Sequence, residues 1–260
     1  MKKLVLTLLA ALSLVSCSET FNATRLMQGG AKVVSALSVS NEEIQSYVTQ
    51  SVQQLDAQAT VLPSSNAYVK RLAKITNGLT SVNGIPLNFK VYKTDDINAF
   101  ACADGSVRVY TGLMDLMSDN EVLSVIGHEI GHVALEHSLR GYKKSLMTSA
   151  AIDAIASTGS IAASLSDSIL GQLGQSIVTA KFSRSQETEA DDYGYEFLKA
   201  MNTNPWYMAS AFEKLLGASG SSSQSSSRVA EMFSSHPDTQ ARIQRVSEKA
   251  TAEGYAKPAK

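Results

Sequence analysis

The stretch VIGHEIGHVALEH, residues 125–137, sets histidines and glutamates inside a helix that must otherwise be buried. Ser118, with Glu121 three residues on, has the spacing of a capping box, and Val122, Leu123, Val125, Ile126, Ile130, Val133 and Leu135 cover much of the girth of the helix that this box would open. The pattern predicts a helix to about Arg140, with Gly141 as its stop. Buried imidazoles and carboxylates are costly unless something satisfies them. His128 and His132 are four residues apart, so both leave the same helix face and can share one metal ion. Glu129 lies beside the first, off the metal but within reach of a water bound there. Gly127 and Gly131 each cost about 1 kcal/mol against Ala in a helix interior, and their common face predicts the close approach of another backbone or a substrate. Glu136 and His137 gain no role from spacing and are left to solvent or packing.

A catalytic zinc takes three protein ligands and keeps a fourth position for water. The run SRSQETEADDYG, residues 183–194, offers the third. Glu187 and Asp191 are again four apart on one predicted helix face, so with Glu187 on the zinc, Asp191 can hydrogen-bond a ligand imidazole from outside. Glu189 is the rival ligand, but it points about 200° around the helix from Glu187, and Glu187 is preferred.

The rest of the chain organises around these two segments. Ser40 ahead of Glu42 and Glu43, and Ser65 or Asn66 ahead of Tyr68, Leu72 and Ile75, mark helix starts in an all-helical region over residues 20–80. Asn83-Gly84 and Pro86 then punctuate. Leu87, Phe89 and Val91 alternate with Asn88, Lys90 and Tyr92, and residues 97–102 and 107–111 flank the tight-turn pair Asp104-Gly105. These predict a small antiparallel sheet of about three strands. Residues 146–180 are too small and polar for a membrane span and read as two closely packed helices. Further helices are expected from Ser183, from Asn204-Pro205, and from His236-Pro237-Asp238 through Arg242, Ile243 and Val246. Between the last two, SGSSSQSSS at 219–227 reads as a mobile surface loop. The fold class expected is α+β, mostly helical, with the small sheet beside the active-site helix.

At the N-terminus, Lys2 and Lys3 precede an apolar run from Leu4 to Val15, the layout of an export signal. Leu14-Val15-Ser16-Cys17 looks like a bacterial lipobox, which predicts a signal peptide over 1–16 and a lipid-anchored Cys17. Ser18 after that cysteine follows the sorting pattern for the outer membrane, so the mature chain would face the periplasm. The expected divisions are then an N-terminal helical segment, 17–60, and a zinc metallopeptidase domain, 61–260. With Cys17 acylated, the second cysteine, Cys102, has no partner and reads as a small buried hydrophobe. A formal net charge of -1 without a long basic run argues against nucleic acid as a partner.

HEIGH at 128–132, the Glu-x-x-x-Asp element formed by Glu187 and Asp191, and His236-Pro237, together with NAF at 98–100 and TGLMDLMSDNEV at 111–122, resemble the gluzincin metallopeptidases that include the HtpX heat-shock proteases and the CAAX prenyl proteases. The likeness runs from about residue 60 onward and is strongest to an exported subgroup of periplasmic outer-membrane lipoprotein proteases. It implies that His128, His132 and Glu187 bind one zinc ion, that Glu129 is the general base, that Asp191 supports a ligand from outside, and that the strand near Asn98–Ala101 flanks a cleft where an extended substrate can pair. His236 stays open among three roles: a donor to the oxyanion, a neutral imidazole that fills the open zinc position and holds the enzyme latent, or a helix-start residue before Pro237. The Ser-rich stretch before it would move it between states. The implied activity is zinc-dependent cleavage of unfolded or misassembled envelope proteins. The alternative is a non-proteolytic envelope chaperone or assembly lipoprotein with a structural or vestigial zinc site.

Overall fold

The computed structural model describes residues 40–148, 167–221, 223–237 and 239–259. The export signal, Cys17 and the N-terminal part of the helical segment lie outside the described residues, as does most of the region expected to form the packed helix pair. Helix α1 (Asn41–Gln58) starts at Ser40, whose hydroxyl accepts from the Glu43 amide while the Glu43 carboxylate accepts from the Ser40 amide. Helix α2 (Ala67–Ile75) is capped by Asn66 and buries Leu72 and Ile75. Five short strands come next: β1 (Ser81–Val82), β2 (Ile85–Pro86), β3 (Asn88–Tyr92), β4 (Ala99–Ala101) and β5 (Ser106–Tyr110). β1 and β2 form a small hairpin through Asn83-Gly84, both at positive φ.

The main sheet has the order β3-β5-β4 and is mixed, not purely antiparallel. β4 turns back through Asp104-Gly105 to pair antiparallel with β5, whereas β3 joins the opposite edge of β5 and runs parallel to it. The connection between the parallel strands β3 and β5 runs over residues 93–105 and includes β4, because a tight turn cannot join a parallel pair. Both faces are covered. Val91, Ala99, Ala101, Val107 and Val109 join a core with the helices that carry the site, while Tyr92, Phe100, Cys102 and Tyr110 pack toward α1 and two later helices. Tyr92 and Tyr110 stack at 5.7 Å on that second face, so the expected polar side of β3 ends in a buried aromatic. Arg108 is also buried there and forks onto Asp56 of α1 at 2.8 and 3.0 Å.

Helix α3 (Thr111–Leu116) leads to α4 (Asp119–Ala134), which carries HEIGH. The Glu121 carboxylate accepts from the amide and hydroxyl of Ser118, as the capping-box spacing predicts. The helix stops earlier than expected. Leu135 ends it and Glu136 sits at φ 58°, a left-handed conformation that costs a non-glycine residue about 1–2 kcal/mol. A new helix, α5 (His137–Thr148), starts there, and Gly141 lies inside it. After α6 (Asp167–Val178) comes α7 (Arg184–Ala200), capped by Ser183, then α8 (Trp206–Ser221), α9 (Ser223–Ser235) and α10 (Thr239–Ala252).

The Ser-rich stretch is therefore largely helical rather than a loop. Serine is only a mediocre helix former, but apolar residues just beyond the stretch, Val229 and Met232, are buried in the main core and hold the helix in place. The result is a mostly helical α+β domain. Among the described residues, no helix is long and apolar enough to cross a membrane.

Candidate active site

Helices α4 and α7 lie against each other with glycines at the contact. A Cβ on Gly127 would collide with the Phe197 ring, and one on Gly131 would stand 3.1 Å from the Ala190 carbonyl oxygen. The neighbour predicted by the glycine face is thus a second helix, and that helix carries Glu187.

The approach brings His128, His132 and Glu187 together, and His236 joins them from the end of α9. One ligand atom from each lies within 4.8 Å of the others, and all four residues are buried. His128 Nε2 is 3.1 Å from His132 Nε2 and 3.2 Å from His236 Nδ1. Glu187 Oε1 stands 3.4 Å from His132 Nε2 and 3.1 Å from His236 Nδ1. Glu129 faces the same space, with Oε1 3.5 Å from His236 Nε2, and that buried oxygen has no hydrogen-bond partner. Three imidazoles and a carboxylate form a donor set suited to zinc, and an orphaned carboxylate oxygen beside it is placed for a water at the metal.

For His132 and Glu187, electrostatics favour the same use. Burial drives the His132 imidazole well below its ordinary value, against the pull of Glu187, leaving the neutral form a metal requires. Burial opposes ionisation of Glu187, but His236 and His132 outweigh it and hold the carboxyl well below the usual range. Burial pushes the Glu129 carboxyl up, despite His236 and His128 nearby. For His236, burial lowers the value, but Glu129 and Glu187 raise it more.

Asp191 sits one turn along α7 from Glu187, with Oδ1 3.0 Å from His128 Nδ1. Glu189 does not reach the cluster; it meets His137 Nε2 at 3.0 Å. Of the two expectations for His137, solvent and packing, the structure excludes solvent. The residue is buried, with Nδ1 3.0 Å from His132 Nδ1.

Like His137, a second residue at the site carried no role in the sequence reading. Arg242 of α10 is 6% exposed, donates to Asp191 at 2.7 and 3.0 Å, and pairs with Glu187 at 2.5 Å. Its guanidinium lies 4.3 Å over the Phe212 ring. The available signal was position: Arg242 shares a helix face with Val246 and adjoins Ile243, where a solvated arginine is out of place.

Residues 63–250 match the family model described as peptidase family M48. The chain belongs to peptidase family M48. Within it, the chain is similar to the metalloprotease LoiP of Escherichia coli (strain K12), 41% identical over 254 residues covering 97% of this chain and 98% of that protein. It is 39% identical to the metalloprotease YcaL of the same organism over 248 residues, 94% of this chain and 95% of the relative. A third relative, the beta-barrel assembly-enhancing protease of E. coli (strain K12), is 30% identical over 93% of this chain and 51% of its own length. M48 membership and the His-His-Glu-His cluster together make the chain a zinc metalloendopeptidase.

The strand expected to flank the cleft, β4, is an edge of the sheet among the described residues. Its outward groups are partly engaged: the Ile97 amide donates to Arg228 O, the Ala99 amide to Asn98 Oδ1, and Ala101 O accepts from Ser138. A cavity of about 470 Å³ opens beside it, with Ala101, His137 and Phe182 in its wall.

Proposed function

We propose that this M48 metallopeptidase binds one zinc ion through His128, His132 and Glu187, uses Glu129 as general base, and cleaves unfolded or misassembled envelope proteins. The observation that carries the catalytic part is the buried, unpartnered Oε1 of Glu129 beside the cluster. When bound, zinc supplies Lewis-acid chemistry, polarising the peptide carbonyl and lowering the pKa of the attacking water. Glu129 takes the proton from that water at its orphaned oxygen and passes it to the leaving amine. Asp191 orients His128 through Nδ1 and is itself held by Arg242. His236, against Glu187 and His128, occupies the position a substrate oxygen needs, so it keeps the site latent until displaced.

The cellular setting rests on sequence. The lipobox ending at Cys17 supports cleavage after residue 16, an acylated mature N-terminus and a periplasmic outer-membrane location, with residues 17–60 linking the anchor to a peptidase domain over 61–260. The substrate class is inferred from the exposed context of such an anchor and from β4, whose edge accepts an extended chain once Arg228 or Ser138 gives way.

The test uses the purified full chain in detergent. Wild type and Glu129→Gln are compared for zinc content and for cleavage of an unfolded protein. Zinc retained with cleavage reduced about 10²-fold or more is expected. Equal cleavage by both forms would return the site to the structural role of a chaperone.

A further inference from the structure

We propose that His137 and Glu189 form a positioning relay that fixes the tautomer and orientation of His132, and so set how tightly the chain holds zinc. The proposal rests on the reading of His132 as a zinc ligand.

The two ligand histidines of α4 have different surroundings. His128 turns Nδ1 directly to the carboxylate of Asp191 at 3.0 Å. His132 has no carboxylate at its Nδ1; it meets the Nδ1 of a second imidazole, His137, at 3.0 Å. The far nitrogen of that imidazole, Nε2, then meets Glu189 Oε2 at 3.0 Å.

The proton inventory admits one arrangement. His132 presents Nε2 to the cluster, so a neutral metal-binding ring carries its proton on Nδ1 and donates it outward. His137 Nδ1 must then accept, which puts the His137 proton on Nε2. That proton points at a carboxylate, which can only accept. Glu189 thus selects the tautomer of His137, and His137 selects that of His132. Each link is at hydrogen-bond distance, and the ligand ring is further fixed by Phe182, stacked on it with centroids 3.7 Å apart.

The backbone is bent to make this contact. On an unbroken helix, five residues would place His137 about 140° around from His132, out of reach. The left-handed Glu136 ends α4 and restarts the chain as α5, which carries the His137 ring back over His132. His137 is 1% exposed, so its two ring nitrogens depend on these partners. Three alternate residues of α7 then divide the work: Glu187 in the cluster, Asp191 behind His128, and Glu189 behind His132 through His137.

Zinc dissociation constants are measured by chelator competition on the full chain for wild type, Glu189→Ala, His137→Phe and His137→Asn, beside the melting temperature of each metal-free form. Loss of an outer hydrogen bond to a ligand histidine weakens metal binding about 10- to 100-fold. That loss is expected for His137→Phe, which keeps a ring but no acceptor. His137→Asn, whose carboxamide oxygen can stand in for Nδ1, is expected to recover much of it. Glu189 has a side chain 56% exposed, so its removal leaves folding intact; Glu189→Ala is expected to weaken zinc with an unchanged metal-free melting temperature. Wild-type zinc affinity in Glu189→Ala overturns the relay even where His137→Phe loses metal, because removing the imidazole also disturbs packing on Phe182. A wild type that takes up no zinc, or a His132→Ala variant that binds as wild type does, removes the ligand assignment and the relay with it.

Discussion

Gly194 of α7 lies directly against the backbone of His128 on α4: a Cβ at Gly194 would stand 3.0 Å from the His128 amide nitrogen and 3.2 Å from the Gly127 carbonyl carbon. Neither atom can move without moving the helix. Glu187 lies two turns back along the same face, so this contact sets the distance between the carboxylate and the two imidazoles. Gly194→Ala is expected to lower stability by about 1–3 kcal/mol through overpacking and to weaken zinc binding. Denaturant unfolding and metal titration measure the two effects; a variant equal to wild type in both would show that the helices slide freely.

Arg242 neutralises two buried carboxylates at once, Glu187 and Asp191. Arg242→Met removes the nearest cation from both, leaving Asp191 with Arg245 at 3.5 Å and Glu187 with the site imidazoles, and breaking such a buried pair costs up to about 3–5 kcal/mol. Metal-free protein should show that deficit in denaturant unfolding. Saturating zinc, which restores positive charge beside Glu187, should narrow the gap to wild type. A deficit unchanged by zinc would place the role of Arg242 in packing on Phe212 alone.

His236 stands 3.1 Å from Glu187 and 3.2 Å from His128, inside the cluster rather than at its rim. His236→Ala is expected to keep zinc on the remaining three ligands and to raise basal cleavage of an unfolded protein, because the fourth position opens. A fall in cleavage with zinc retained would instead assign His236 to the oxyanion.

Asp56 anchors α1 to the sheet by accepting from Arg108, Lys90 and Tyr92. Burial raises its carboxyl, but these hydrogen bonds outweigh burial and hold it below the ordinary value. A lowered carboxyl stabilises the fold fully above its unfolded pKa of about 3.9, and the stabilisation drains as pH falls below that. Asp56→Asn should therefore melt well below wild type at pH 7, with a loss of about 3–5 kcal/mol for the unpaired Arg108. The gap should shrink at pH 3, and thermal melts at the two pH values check it. A gap that does not change with pH would mean that shape, not charge, joins Asp56 to Arg108.

Much of this was legible in the chain itself. The four-residue spacings of His128 with His132 and of Glu187 with Asp191 follow from helix periodicity, which needs no tertiary knowledge. Ser40, Asn66, Ser118 and Ser183 mark helix starts for the same local reason: each belongs to a pattern that satisfies the first amides of a helix.

Relations between elements that local periodicity does not link were beyond the sequence. Strand direction was one, because β5 inserts between β3 and β4 and so lies parallel to β3. The Ser-rich stretch was another: its composition favours a loop, but burial of Val229 and Met232 holds it as helix. Arg242 looked like one more charge on an amphipathic helix until α10 met α7 and enclosed it with Asp191. His137 was assigned to solvent or packing because an unbroken helix turns it away from His132. The sequence by itself singled out His128, His132 and Glu187 as candidate metal ligands, since spacing along a helix is local. Only the tertiary structure decided which other charges they are buried with, because a helix break at Glu136 and the docking of α7 and α10 bring together residues that no local pattern relates.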